Sequence, residues 1–253
     1  MYGTTTNDTI ILYGSNGYTG NLIAEECRSR KLTVMLSGRN HEALQLQSDR
    51  TGFPFKVVDL NDRSSLLNLL RKGKLLLNCA GPFQYTAEIM VQACLEAGTH
   101  YTDVTGEYQV FEKLAEYDDL GRKANIMIMP GVGFDVAPSD CLALHLKQRL
   151  PGATHLQLAF TMSKGGLSRG TAKTALESLG SGSTVRREGK LVTIPLGEKL
   201  LEVDFGSFKT NTMNISWGDI STAWRSTDIP NIEVYIGASD QSIRYAKLSR
   251  HFN

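Results

Sequence analysis

The sequence contains no long apolar run. Nothing in it approaches the ~20 consecutive hydrophobic residues of a membrane-spanning helix, and residues 1–8 are polar in character, so neither a transmembrane segment nor a secretory leader is expected. Cysteine is scarce. The four present, Cys27, Cys79, Cys94 and Cys141, form no C-x-x-C, which argues against a disulfide scaffold and for reduced thiols in a cytoplasmic protein. An excess of either charge is missing too. Lys plus Arg is 27 against 26 for Asp plus Glu, a formal net charge of +1, which excludes a dedicated nucleic-acid binder. The five histidines show no metal-ligand spacing, so no metal site is expected. What is there is ordinary globular material, 41% hydrophobic and 21% charged over 253 residues, enough for one large domain or a domain with an appendage.

The first 150 residues alternate. Short apolar runs at 9–13, 33–36, 55–58, 75–79, 100–103 and 126–129 are separated by stretches of helical length. In one of these stretches Ile89, Ala93 and Ala97 recur every four residues. Strands apolar on both faces, alternating with helices, read as βαβ units around a parallel sheet. The fold class expected is therefore α/β, a Rossmann-type doubly wound parallel sheet over residues 1–138. Pro138-Ser139-Asp140 opens a helix to about Arg149. Beyond it the pattern gives a strand at 156–162, a loop at 163–170, a helix at 171–179, and short strands at 185–195, 200–205 and 232–236. Residues 139–253 are expected to form a second α+β domain with an antiparallel sheet.

The most informative stretch is Gly14-Ser15-Asn16-Gly17-Tyr18-Thr19-Gly20, between the first apolar run and a helix predicted over 21–30. Glycines here permit a tight strand-to-helix turn, close approach of a pyrophosphate, and close packing of helix on strand. The helix N-terminus offers unpaired N–H groups and partial positive charge to the anion. The spacing is G-x-x-G-x-x-G rather than G-x-G-x-x-G, so its position in the βαβ series carries the reading. The second run ends in Ser37-Gly38-Arg39. An NAD site places an acid there for the ribose 2′-OH; Arg39 instead suits the 2′-phosphate of NADP(H). Asp59 and Leu60 end the third run, where adenine would lie. Ala80, Gly81 and Pro82 end the fourth, where the sheet changes direction.

Together these segments resemble the saccharopine dehydrogenase-like oxidoreductases, a family that includes trans-acting enoyl reductases. The similarity runs through Gly17-Tyr18-Thr19-Gly20, Ser37-Gly38-Arg39, Asn78-Cys79-Ala80-Gly81-Pro82-Phe83, Gly98-Thr99-His100-Tyr101-Thr102-Asp103-Val104-Thr105-Gly106-Glu107, Pro130-Gly131-Val132-Gly133-Phe134-Asp135 and Gly170-Thr171. It implies an NADP(H)-binding Rossmann domain joined to a substrate and dimerisation domain. Phe134, Asp135, Gly170 and Thr171 would then line the substrate. Two departures stand out. Thr86 occupies a position where the family often has glycine, and a chain ending at Asn253 is expected to be C-terminally truncated relative to the family.

Hydride transfer requires an acid or base beside the reacting carbon. The Tyr-x-x-x-Lys solution is absent, since none of the nine tyrosines has Lys at the fourth position after it. The candidates are Asp103 and Glu107, at and just beyond the end of the fifth run. Each has a plain alternative, Glu107 as a helix-start acid and Asp103 as a hydrogen-bonded strand end. Lys164, Arg169 and Lys173 surround Gly170-Thr171 and could hold a carboxylate. The partners expected are a small-molecule substrate and a second copy of the chain in a homodimer. An NADP(H)-dependent oxidoreductase acting on a carbonyl, imine or enoyl group is the first reading. A non-catalytic NADP-binding or lipid-associated protein that keeps the fold is the alternative.

Overall fold

The apolar runs of the first half become strands because each is short, aliphatic and cut off by a turn residue. A computed structural model describes residues 8–161 and 182–249, and the chain divides into two compact units, Met1–Thr105 with Gln109–Phe134, and Gly106–Tyr108 with Asp135–Asn253. In chain order the first twelve elements are β1 (Ile10–Tyr13), α1 (Tyr18–Ser29), β2 (Val34–Gly38), α2 (His41–Thr51), β3 (Phe55–Val57), α3 (Arg63–Leu70), β4 (Leu75–Asn78), α4 (Phe83–Ala97), β5 (His100–Asp103), α5 (Tyr108–Ala115), α6 (Asp118–Ala124) and β6 (Ile128–Met129). The six strands form one sheet in the order β3-β2-β1-β4-β5-β6, and every pairing is parallel. That is the dinucleotide-fold order, with its direction change between β1 and β4.

Alternation along each strand feeds two cores. Ile11, Leu76 and Tyr101 point to one face and pack with Leu66, Leu70 and Met90. Leu12, Val34 and Leu36 point to the other and pack with Ala24 and Leu44. Covering both faces is what a parallel sheet requires. Helix starts are locally encoded: Asn40 accepts from the Ala43 N–H at the start of α2, and Asp62 accepts from the Ser65 N–H at the start of α3. Such caps stabilise a helix by about 1 kcal/mol each.

The second unit contains α7 (Ala137–Arg149), β7 (His155–Phe160), β8 (Ser183–Arg187), β9 (Lys190–Ile194), β10 (Leu200–Asp204), β11 (Lys209–Ile215), α8 (Asp219–Thr227), β12 (Asn231–Gly237) and α9 (Asp240–Ser249). Its sheet runs β10-β11-β12-β8-β9, with β7 also paired to β12. The neighbours on the main path are antiparallel, and β7 lies parallel to β12. Leu156, Leu158, Ile232 and Val234 pack against Ala143, Ile220 and Ala223 from α7 and α8. Among the described residues, no helix is long and apolar enough to cross a membrane.

Three local expectations change. The first helix starts at Tyr18 rather than Asn21, because Gly17 is its N-cap. The expected strand at 185–195 is a hairpin. Glu188 and Gly189 both have positive φ, 49° and 76°, which folds β8 back on β9 as a two-residue turn does. The strands at 200–205 and 232–236 are joined by β11 and α8, which the apolar pattern did not reveal. The expected loop at 163–170 and helix at 171–179 lie outside the described residues.

Candidate functional site

Pairing register sets Lys56, Ser37, Tyr13, Asn78 and Asp103 in a single row across the carboxyl end of the first sheet, from β3 to β5. Ligands of open α/β sheets bind beyond this edge, at the change of direction. There β1 runs into Gly14 at φ +75°, where a Cβ would stand 2.8 Å from the Ala80 backbone nitrogen. The loops after β1 and β4 therefore meet backbone to backbone. A Cβ on Gly20 would fall 2.5 Å from the Gly14 oxygen, so α1 sits directly on the turn. Gly17 differs: its backbone is ordinary extended chain, it is exposed, and a Cβ would approach only the Gly14 oxygen, at 3.3 Å. Gly14 and Gly20 let the backbone close, and Gly17 keeps the outer surface of the turn clear.

An N-cap glycine has no side chain to accept the first-turn N–H groups, and no side chain caps α1. Those donors and the positive end of the helix dipole are left for an anion. Ser15 is buried within the turn, whereas Tyr18 and Thr19 are exposed. The Asn16 Oδ1 lies 3.1 Å from the position a Gly38 Cβ would take, so the glycine ending β2 lets the turn lie against it. Side chains at Gly14 or Gly20 would run into the backbone of the turn, one at Gly38 would press on Asn16, and one at Gly17 would stand on the turn's exposed surface.

Arg39 follows β2, exposed and without an ion pair among the described residues. The Tyr13 hydroxyl donates to the Val58 oxygen at 3.0 Å. Burial pushes this phenol up to about 12, with Asp59 adding to the shift and Arg39 opposing it, so both charges stand near the same end of β1. Asp59 spends one carboxylate oxygen on its own loop, accepting from the Asn61 N–H at 2.8 Å and the Asn61 amide at 2.9 Å. Leu60 packs on the unit's core.

After β4, the buried Asn78 accepts from the Ala80 N–H at 3.0 Å and donates to Thr86 Oγ1 at 3.2 Å, and the Thr86 hydroxyl donates to the Ala80 oxygen at 2.8 Å. Thr86 thus ties down the Ala80-Gly81-Pro82 loop, whose Gly81–Pro82 bond is cis. Burial pushes the Cys79 thiol up to about 12, which leaves it a packing group.

The structure separates the two acid candidates. Asp103 has no exposed surface, and its carboxylate accepts from the Tyr101 hydroxyl at 2.6 Å, the Thr105 N–H at 3.0 Å and the Gly131 N–H at 2.7 Å. It braces the loops after β5 and β6, a role that does not suit an acid or base. Glu107 is half-buried and immediately precedes α5. Phe134 ends the first unit with 88% of its surface exposed. Asp135 opens the long segment of the second, where its backbone oxygen accepts from Trp217 Nε1 at 2.9 Å. A Cβ on Gly106 would be 2.9 Å from the Asp135 carboxylate, and desolvation raises that carboxyl above the usual range. Gly170 and Thr171, with Lys164, Arg169 and Lys173, lie outside the described residues.

One charged residue in the second unit escaped the sequence reading. Asp219 begins α8 almost wholly buried, and one of its oxygens has no hydrogen-bond partner. Burial first, then the neighbouring Asp140, raises it to about 6. Asp140 itself accepts from the Ser226 hydroxyl at 2.8 Å. Nothing in the run Trp217-Gly218-Asp219 signals burial, because an acid at a helix start is normally solvated.

Comparison with known proteins agrees with this geometry. Residues 10–129 match the family model described as the saccharopine dehydrogenase NADP-binding domain. A saccharopine dehydrogenase-like oxidoreductase of Mus musculus is 28% identical over 203 residues, 70% of this chain and 47% of the relative. A trans-acting enoyl reductase of Mycobacterium ulcerans (strain Agy99) is 28% identical over 200 residues, 74% of this chain and 48% of the relative. The chain spans about half the length of the curated relatives it matches. Saccharopine dehydrogenase (L-Glu forming) from Saccharomyces cerevisiae, in its apo form, superposes with a TM-score of 0.70 at 13% identity, over 95% of this chain and 57% of that one; this likeness concerns the fold alone. The parallel sheet order, the glycine turn and the matched domain agree: residues 10–129 are similar to the saccharopine dehydrogenase NADP-binding domain, and the chain resembles the saccharopine dehydrogenase-like oxidoreductases.

Proposed function

We propose that the protein is an NADP(H)-dependent oxidoreductase that moves a hydride to or from a carbonyl, imine or enoyl carbon. The observation that carries this reading is the uncapped start of α1 at the sheet's change of direction, beside an arginine where an NAD site would have an acid. Gly14, Ser15, Asn16, Gly17, Tyr18, Thr19 and Gly20 would hold the pyrophosphate. Arg39 would hold the 2′-phosphate, with Asp59 and Leu60 beside the adenine and Ala80, Gly81 and Pro82 along the far half of the dinucleotide. NADPH supplies the hydride when bound; the protein supplies position and a proton. Glu107 is the group assigned to proton transfer, and Phe134, Asp135, Gly170 and Thr171 are assigned to the substrate. The relatives' names, saccharopine dehydrogenase-like oxidoreductase and trans-acting enoyl reductase, support the choice of substrate classes. A cytoplasmic protein acting as a homodimer completes the reading.

A second reading, an NADP-binding protein without turnover, is favoured by one observation. With Asp103 committed to bracing, a single acid candidate is left. Fluorescence titration with NADPH, followed by NADPH oxidation against aldehydes, cyclic imines and enoyl thioesters, separates the two. Binding with oxidation in any class supports the enzyme. Binding with oxidation in none supports the second reading, and absence of binding overturns both.

A further inference from the structure

Behind the glycine turn lies a polar relay that no glycine motif predicts. Asn21, in the first turns of α1, donates from Nδ2 to the Asn16 oxygen at 3.0 Å and to the Gly17 oxygen at 3.0 Å. Its own Oδ1 accepts from Gln47 Nε2 at 3.0 Å and from Arg50 at 2.6 Å. Gln47, from α2, also donates to the Ser15 oxygen at 2.8 Å. Backbone carbonyls only accept and a guanidinium only donates, so these partners fix the orientation of both side-chain amides. Gln47 is 2% exposed, and its bond to Thr51, which donates to the Gln47 backbone oxygen at 2.8 Å, anchors it within α2.

Three consecutive carbonyls, those of Ser15, Asn16 and Gly17, are thus held by two side chains. In a trans peptide the N–H points opposite to the C=O. Fixing the carbonyls of Ser15 and Gly17 therefore fixes the directions of the Asn16 and Tyr18 N–H groups, and fixing that of Asn16 holds the Gly17 N–H on the Gly14 oxygen, to which it donates at 3.1 Å. An anion site built from backbone donors depends on those directions being set in advance, since each donor left free to turn costs ordering entropy on binding. α2 starts at His41, capped by Asn40, so the helix that follows Arg39 is the one whose Gln47 grips the turn.

We infer that Asn21, Gln47 and Arg50 are positioning residues for dinucleotide recognition: a side-chain relay from α2 that sets the peptide planes of the pyrophosphate turn. The inference rests on the reading of this turn as the NADP(H) site. It makes a distinction that a merely structural role does not. The relay governs the pyrophosphate turn, so its loss should weaken a ligand that carries a pyrophosphate and spare one that carries only the adenosine 2′-phosphate.

The experiment titrates the full chain and three variants, Asn21→Ala, Gln47→Met and the double variant, with NADPH and separately with 2′-AMP, and records thermal unfolding for each. Asn21 is half-buried on a helix surface, so its truncation keeps the test available if the buried Gln47 site does not tolerate change. Each single variant should bind NADPH about tenfold more weakly, the effect of losing one or two hydrogen bonds that order the site. Binding of 2′-AMP should be unchanged. The double variant should be little worse than either single one, because both remove the same relay. Wild-type NADPH affinity in a folded variant overturns the inference, and so does an equal loss for NADPH and 2′-AMP. Failure of the unmodified chain to bind NADPH would instead overturn the reading of the site on which the inference stands.

Discussion

The Tyr101 hydroxyl donates to Asp103 Oδ2 at 2.6 Å, with neither residue exposed to solvent. The two stand two apart on β5, on the same face of the strand. Burial and the adjacent carboxylate hold the Tyr101 phenol well above its ordinary value, so it stays a donor at any physiological pH. Asp103→Ala would leave this hydroxyl and the N–H groups of Thr105 and Gly131 without their acceptor. Stranded buried donors cost about 1–3 kcal/mol each, so a loss of at least ~3 kcal/mol is expected in urea unfolding. Tyr101→Phe should cost only ~1 kcal/mol. A stable Asp103→Ala protein that lacks turnover would return Asp103 to the catalytic group.

Gly17 is the position at which binding and folding come apart. Its backbone suits any residue, and a Cβ there meets only the Gly14 oxygen, at 3.3 Å, which a shift of a few tenths of an ångström relieves, so Gly17→Val should fold. The added side chain would stand on the outer surface of the turn, in the path of a phosphate. NADPH binding should fall below detection by calorimetry with the circular dichroism spectrum unchanged. Gly20→Val should behave oppositely and lose the fold, because its Cβ would be driven into the Gly14 and Ser15 backbone. Undiminished binding by Gly17→Val would place the pyrophosphate elsewhere.

Arg39 should set the choice between cofactors. A 2′-phosphate carries roughly two charges, and charge-assisted hydrogen bonds to it contribute ~1.5–3 kcal/mol net. At ~1.4 kcal/mol per decade this is about 10- to 100-fold in favour of NADPH over NADH, fading as salt is raised. Arg39→Asp should reverse the order by repelling the phosphate and accepting from the ribose hydroxyl. Equal affinities in the unmodified protein would mean the guanidinium stays in solvent.

For Glu107 the informative quantity is the gap between turnover and stability. A positioned acid or base contributes roughly 10²–10⁴-fold to rate, whereas an acid beside a helix start contributes about 0.3–1 kcal/mol to stability. Glu107→Gln should therefore lower NADPH oxidation by at least about 100-fold while the melting temperature moves by only a few degrees. Unaltered turnover would remove it from the site.

Asp219 makes the second unit sensitive to pH. Its carboxyl titrates at about 6 in the fold against a model-peptide value of 3.8. Between those values the folded chain holds a proton that the unfolded chain has released, so this group's contribution raises stability as pH falls through the window. Above pH 6 both states are ionised and the fold bears the full cost of the buried charge, about 3 kcal/mol. The charges acting on it are Asp140, on α7, and Asp135, both negative. Asp219→Asn should be more stable than the unmodified protein at pH 7.5 and should lose the advantage near pH 4. The difference between their melting curves across that range measures it, and a constant difference would show that Asp219 does not titrate there.

How much of this was legible in the sequence depends on what holds each element in place. The parallel strands were plain because runs such as Leu75-Leu76-Leu77 are buried on both sides and cut by turn residues. β11 was not, since Thr212 and Asn214 are fully buried while Met213 is only partly so; its inward residues are polar and the periodicity inverts. α8 was missed because Ser221, Thr222, Ser226 and Thr227 have weak helix propensity. Burial of Ile220, Ala223 and Thr227 along one side overrides that preference. In the site, the close backbone approach at Gly14 and Gly20 could be read from residue type alone. Asp103's bracing role could not, because its partner Gly131 stands 28 positions away, and neither could Gln47, whose grip on Ser15 spans 32.

The two outermost strands of the parallel sheet, β3 and β6, are three and two residues long. An edge strand is a template on which another polypeptide can continue the hydrogen-bonded ladder, and its reach scales with the length of open backbone it shows. Edges this short offer too few donors and acceptors for a foreign strand to register on. The cofactor-binding sheet is thus closed to growth by strand addition at either side, and crowding many copies of it together leaves that sheet a six-stranded one.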